Sequence, residues 1–569
     1  MNQPTPAIVT REAARRLPRW ALLMFCAAYL LPGFIGREAW KSADMGALGF
    51  MAELAEGSAR WLAPTLVGSP SENPALLPYW LGAVALQWSP SWLAPDFAVR
   101  LPFMGLLALC LACTWYATYH LASSPRAQPV AFAFGGEAPP KDYARAIADG
   151  GLLALIACLG LAQLAHETTP ALAQTSFCAL AFSGLSVLRR KRSTGLWASA
   201  VGLLGLALCG APAMALAFGL GGLWIHVADA ASAREPGAPA PSTETGGTVA
   251  MLLCALALTA TVAWWADLWR WKLEFPPATW SHWKGFAELL IWFTWPAWPL
   301  AVWTLWRWRR QWLGGAFGRH IALPLWFVCV TLVATLASAA SDRTLMLGLP
   351  ALATLAAFAL PTLQRQVGAL IDWFTLLFFS GCGLTIWVVW IAMQTGFPAQ
   401  PAANVARLAP GFVPTFSVLT CALALVATAV WAWLVRWRVG RHRTALWKSL
   451  VLPAGGAAWC WLLLMTLWLP LLNYTQSYSA LVRHTLLQMQ PQGCAHVLGL
   501  GHGTLAAYQF YGRLSLQPLD AAPQCPWLLA EPREGMQVPY GVSASDWVLQ
   551  TAVRHPTDGN QTVLVFRRR

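Results

Sequence analysis

Leu22-Leu23-Met24-Phe25-Cys26-Ala27-Ala28-Tyr29-Leu30-Leu31-Pro32-Gly33-Phe34-Ile35 is an apolar run, and Arg11, Arg15, Arg16 and Arg19 stand ahead of it. No small-residue cleavage site follows, so the run reads as a retained first helix rather than a removed signal peptide. Runs of roughly 17 to 25 such residues recur along most of the chain, each long enough to cross a ~30 Å hydrocarbon core as a helix. The 569 residues are 57% hydrophobic and only 11% charged, with mean hydropathy +0.50. A soluble fold of that composition would lack polar surface to cover itself, so lipid is the main solvent. A transmembrane barrel would need short alternating segments instead.

The net charge of +14 does not point to nucleic acid, because the basic residues sit in short loops between apolar runs. Positive-inside sorting explains that distribution. It makes Arg11–Arg19, Lys141 with Arg145, Arg189–Arg192, Arg307–Arg310 with Arg319, Arg365 and Arg436–Arg443 cytoplasmic. Spans are expected near 20–36, 99–121, 149–165, 171–188, 194–209, 211–228, 248–266, 286–306, 321–340, 345–361, 369–393, 414–435 and 446–472. The fold class is thus an α-helical polytopic membrane protein with about 13 transmembrane helices. An odd count puts the N-terminus in the cytoplasm and the C-terminus outside, in the periplasm.

Three segments break the helical rhythm on the outer side: Arg37–Arg100, the Trp-rich Trp264–Lys284, and everything after Asn473. The first mixes amphipathic stretches with Gly and Pro, as interfacial helices would, and is the best place for a site. Two cytoplasmic loops, Ser123–Lys141 and Ser232–Thr248, lack an apolar pattern and read as disordered. Residues 1–472 form the membrane domain, with a first periplasmic loop at 37–98, and 473–569 form a small periplasmic α/β domain. There, an apolar run at His496–Leu500, a helical Thr504–Arg513 and strands at Trp547–Val553 and Thr562–Phe566 are expected. Gly499-Leu500-Gly501-His502-Gly503 lacks the rest of a dinucleotide fingerprint. Of thirteen cysteines, all but Cys494 and Cys525 lie in apolar runs as small hydrophobes. Those two lie on the oxidising side, as a disulfide or as two free thiols. The 35 tryptophans suit an interfacial aromatic belt better than a sugar platform.

Ionisable residues at membrane depth are expensive and mark functional sites by default. Most gather in the first outer segment. It runs Gly36-Arg37-Glu38-Ala39-Trp40-Lys41-Ser42-Ala43-Asp44, then a helical stretch to Gly57, then Trp61-Leu62-Ala63-Pro64. Ser71-Glu72-Asn73-Pro74 and Tyr79-Trp80 follow, then Arg100-Leu101-Pro102. This order resembles the polyprenyl-phosphate-dependent glycosyltransferases of the GT-C type, in the bacterial branch of aminoarabinose transferase and protein O-mannosyltransferases. Ser341-Asp342-Arg343 followed by Leu349-Pro350-Ala351-Leu352 resembles a later stretch of that family. The likeness covers roughly the first hundred residues well and the middle more faintly.

The resemblance implies Asp44, Glu72 and Glu167 as catalytic acids, with Asp44 leading. Arg343, Lys284 or Arg60 suit the leaving phosphate, which wants a forked or point cation nearby; Asn73, standing where the family carries Lys, and Tyr79 of the quoted motif complete the substrate-binding candidates. Transfer from a polyprenyl-phosphate sugar breaks the anomeric C–O bond and releases a lipid phosphate. One carboxylate orients or deprotonates the acceptor while cations stabilise the leaving group. The structural alternative for Asp44 is a helix N-cap; for Glu72 and Glu167 it is a cap or buried ion pair. Arg343 has a plain alternative too, as a helix boundary.

His166, His282 and His502 raise the question of metal, but no metal-ligand spacing occurs. A divalent cation held by Glu72 and a distant histidine is the cofactor left open. The expected function is an inverting glycosyltransferase that moves a sugar from an undecaprenyl phosphate carrier to a lipid A, glycan or protein acceptor. A lipid or sugar transporter or flippase is the rival, without the paired broken helices usual there; a non-enzymatic scaffold is the third.

Overall fold

A computed structural model describes residues 5–72, 74–232, 243–270, 279–313, 318–338, 341–439, 445–489, 493–519, 525–532, 545–559 and 561–569. Eight of its helices are long and apolar enough to cross a membrane: Pro95–Ala122, Pro170–Val187, Pro212–Ser232, Thr245–Trp265, Arg319–Leu336, Arg365–Thr395, Val418–Arg438 and Lys448–Leu467. The chain is a multi-pass helical membrane protein with a small C-terminal sheet domain.

The five remaining expected spans are also helical: Arg192–Leu208 is whole, Leu349–Ala357 is short, and the other three are shifted, shortened or broken at prolines. The first helix, Arg19–Leu30, stops before Pro32, which has no N–H to carry the hydrogen-bond ladder further. Gly33 then lets the backbone pass over the ring of His166, where an added Cβ would lie 2.2 Å from the imidazole. The span expected at 149–165 starts earlier, at Pro140, and ends at Ala157, so Lys141 and Arg145 are helical rather than loop residues. Proline at the first helical position and Asp142 in the first turn account for that early start. The span expected at 286–306 is two helices, Trp280–Phe293 and Ala297–Arg307, parted at Pro296. The carbonyls freed there accept the N–H groups of Gly160 and Leu159, at 3.0 and 3.1 Å from Phe293 O and Trp295 O.

Loops sort to two ends of the bundle. At one, Arg16 meets Asp142 at 2.6 Å, Arg189 meets Asp229 at 2.7 Å, and Leu17 N–H donates to Asp149. Ser123–Lys141, expected as disordered, is ordered at this end. Its backbone pairs with the N-terminal segment, Val130 N–H donating to Ala7 O and Ala138 N–H to Val9 O; these bonds supply the order that an apolar pattern would otherwise have to give. Most of Ser232–Thr248 lies outside the described residues, as does 271–278 of the Trp-rich segment.

At the other end the first long connection folds into the helix Lys41–Glu56, the hairpin Thr65–Leu66 with Ser69–Pro70, and the helix Leu77–Gln87. The C-terminal domain packs on it. Its five-stranded sheet runs Ser515–Pro518, Cys494–Leu498, Trp527–Ala530, Thr562–Arg568, Trp547–Arg554 in spatial order. The first three strands are parallel and the last two join antiparallel. Cys494 and Cys525 are bonded to each other, closing 31 residues beside this sheet.

The helix His502–Phe510 of this domain docks on Lys41–Glu56 through glycine on both sides. A Cβ on Gly503 would sit 2.6 Å from the Cα of Ser42, and one on Gly49 2.6 Å from the Cβ of Ala506. Gly503→Val should therefore push the two helices apart and destabilise the docking by about 1–3 kcal/mol. A lowered melting temperature and faster proteolysis after Asn473 would register it; wild-type values for both would show that the domain is held elsewhere.

Candidate functional site

Asp44 lies in the first turn of Lys41–Glu56, which begins three residues ahead of it with Trp40 as N-cap. It is therefore not the cap, although it reaches back to the cap: Trp40 N–H donates to Asp44 Oδ2 at 3.1 Å. Arg37 donates to the same oxygen at 3.4 Å. The other oxygen, Oδ1, accepts both the backbone N–H and the hydroxyl of Thr168 at 2.7 Å. Four donors thus hold a carboxylate that is 2% exposed. Its ion pair with Arg37 is just as dry, the side chains being 3% and 0% exposed.

Glu167 stands beside Thr168 in the turn before Pro170–Val187, and brings a second acid to the same place. Arg343, on the short helix Ser341–Met346, donates to Glu167 Oε2 at 3.1 Å. Among the described residues Oε1 of Glu167 is buried without a hydrogen-bond partner, and so are Thr169 Oγ1, Arg37 Nε and Arg343 Nε. Buried polar atoms are rarely left unmet; four in one cluster mark a place where something polar can bind. Burial, followed by the charge of Asp44, raises the carboxyl of Glu167 above the ordinary glutamate range, while Arg343 and Arg37 oppose that rise. Burial also lowers the Arg37 guanidinium, against the pull of Asp44 and Glu167.

The loop that carries Arg37 is tied from three directions. Arg37 donates to His166 O at 3.0 Å, and its guanidinium lies 4.2 Å over the Trp40 ring. Arg100, from the start of Pro95–Ala122, donates to Arg37 O and Phe34 O. Asn473 accepts from Glu38 N–H and Trp40 Nε1 and donates to Gly36 O. Arg37, Thr168 and Asn473 were not singled out from sequence. Arg37 and Thr168 adjoin residues that were, Arg37 standing in the quoted outer segment and Thr168 next to Glu167.

The structure thus brings Asp44, Glu167 and Arg343 together and leaves the other candidates apart. Glu72 is exposed and joins no hydrogen bond or ion pair among the described residues. Asn73 lies outside them. Arg60 is exposed in the turn that bridges to Ala63. Lys284 lies on an exposed helix and pairs with Glu288 one turn on, at 3.8 Å. Tyr79 is buried among Phe50 and its neighbours and shares a hydrogen bond with Ser71 at 3.2 Å. Among the described residues no three His, Cys, Asp or Glu side chains gather as a metal set would. Both ring nitrogens of His166 already face backbone carbonyls, those of Ala162 and Tyr29, while His502 packs against Phe50.

Fold and cluster together define a multi-pass membrane protein with a buried two-acid, two-arginine centre beneath a small α/β cap. That fold is shared with ArnT from Cupriavidus metallidurans. The crystal structure of ArnT bound to undecaprenyl phosphate superposes with a TM-score of 0.60 at 13% identity, over 97% of this chain and 98% of that one. Its apo structure gives 0.59 at 13% identity, over 96% and 98%. The shared fold therefore extends over nearly the whole chain, well past the first hundred residues where motifs were legible. No family model and no curated protein sequence matches the chain.

Proposed function

We propose that this protein transfers a sugar from a polyprenyl phosphate carrier to an acceptor at the outer face of a bacterial inner membrane. The observation that carries the proposal is the buried pair Asp44 and Glu167 with Arg37 and Arg343, holding four unmet polar atoms. The shared fold with an ArnT structure that binds undecaprenyl phosphate supports the same carrier here.

In this reading the acceptor hydroxyl lies against Glu167 Oε1, the oxygen with no other partner. A carboxylate there takes the hydroxyl proton as the acceptor oxygen attacks the anomeric carbon from the face opposite the phosphate. The C–O bond to phosphate breaks, its electron pair stays on the leaving phosphate, and the anomeric configuration inverts. Arg343 is the cation placed to stabilise that charge, since only one of its donors is committed to Glu167. Asp44, with four donors on it, positions Arg37 and Thr168 around the reacting groups. Lipid A, another glycan or a protein hydroxyl remain the acceptor classes. The oxidised pair Cys494–Cys525 supports a periplasmic C-terminal domain and so a cytoplasmic N-terminus.

Purified protein incubated with radiolabelled polyprenyl-phosphate sugars and membrane extract should move label into the extract. Absence of transfer with every donor, together with vectorial movement of the lipid in vesicles, would replace the transferase by a flippase.

A further inference from the structure

Outside the Asp44 cluster, a cavity of about 760 Å³ opens between the end of the helix Ala399–Leu408, the helix Ser479–Gln488 and the end of the strand Trp547–Arg554. Arg407, Arg483, Arg554 and His484 line it, and among the described residues no carboxylate does. Among the described residues none of these guanidiniums pairs with an acid; Arg407 reaches only the amide oxygen of Asn404, at 3.5 Å. Three exposed arginines facing one cavity repel one another, and a bound anion relieves that repulsion.

The walls are fixed by bonds that do not involve the arginines. Tyr474 OH donates to Pro410 O at 2.6 Å, the His555 ring meets Ser477 O at 3.0 Å, and Thr557 Oγ1 donates to Thr475 O. A built, cationic, carboxylate-free cavity is suited to phosphate, which accepts forked bonds from guanidinium.

Its position argues for phosphate carried by a lipid. The helix Ala399–Leu408 connects two membrane-crossing helices, Arg365–Thr395 and Val418–Val439, and buries no residue of its own. Around it Phe397, Leu408, Val413 and Phe416 are exposed. Apolar side chains in that setting belong at the boundary of headgroups and acyl chains. A second cavity adjoins the first, sharing Leu408, His555 and Thr557, and reaches Lys41 and Ser42 at the start of the helix that carries Asp44.

We infer that the Arg407–Arg483–Arg554 cavity is a binding site for the phosphate-bearing headgroup of a membrane lipid. The inference stands on this cavity alone and does not require the transferase reading. Dioctanoyl phosphatidic acid, titrated against the detergent-purified full chain, serves as the probe, with inorganic phosphate as competitor. Binding should weaken about tenfold on Arg483→Gln or Arg554→Gln, the loss of one charge-assisted contact, and further when both are combined. Arg554→Lys should retain part of it, and Glu167→Gln should leave it unchanged. Equal affinity in wild type and the double variant overturns the site. Displacement by inorganic phosphate at the concentration at which phosphatidic acid itself binds overturns the lipid assignment in favour of free phosphate. Because Glu167→Gln serves as the control, failure of the transferase reading leaves this outcome legible.

Discussion

In Glu167→Gln, transfer from a polyprenyl-phosphate sugar should fall by about three orders of magnitude, within the ~10²–10⁴ range of a positioned general base. The side chain keeps its length and can still accept a bond from Arg343, now made to Glu167 Oε2 at 3.1 Å, so the fold should survive. What is lost is the ability of the free Oε1 to take a proton. A pH profile separates this from mere damage. Glu167 must be deprotonated to act, and burial raises it, so kcat/KM should decline as pH falls through that raised value, above the ~4.3 of an ordinary glutamate. Stability should run the other way. The folded state holds this proton more tightly than the unfolded chain, so its contribution is lost as pH rises from the ordinary glutamate range through the raised value. Arg343→Ala removes a group that lowers Glu167 and should move the acidic limb further upward. Unaltered turnover in Glu167→Gln would remove this residue from the chemistry.

The second large effect is expected of Asp44→Asn, and it should strike stability and turnover together. Arg37 is fully buried and Asp44 is its carboxylate partner; stripping one member of a dry ion pair costs about 3–5 kcal/mol, because the remaining charge is left uncompensated. Asparagine can still accept from Thr168 with its carbonyl. Its amide, however, then faces the Trp40 N–H, two donors where one acceptor stood. Transfer should drop below detection. The double variant Arg37→Met with Asp44→Asn removes the stranded charge, and it should recover much of the lost melting temperature without recovering transfer. Recovery of both would reduce Asp44 to a structural partner of Arg37, and wild-type transfer in Asp44→Asn alone would sink its place in the site.

How much of this was legible beforehand differs sharply between scaffold and site. Each expected span carries helix, since in lipid a segment must satisfy its backbone internally, and that requirement writes itself into local hydropathy. Boundaries moved where a proline or glycine acts: at Pro32, at Pro140 and at Pro296. Ser123–Lys141 was misread because its order comes from backbone pairing with residues far ahead in the chain. Composition cannot report such pairing.

The site asked for more than a list of charged residues in outer loops. Asp44 lies 124 residues from Thr168, and Glu167 lies 176 from Arg343. Local sequence marks each of them as an ionisable group near a helix end, as it does Glu72, Arg60 and Lys284. By itself the sequence determined a polytopic helical bundle, its two sorted sets of loops and the outer segment that begins at Arg37. Only the tertiary structure decided which charges meet. A polar group taken out of water must find its partner within reach; the packing of the helices, far apart along the chain, brings Arg37 to Asp44 and Arg343 to Glu167 and leaves one carboxylate oxygen unmatched.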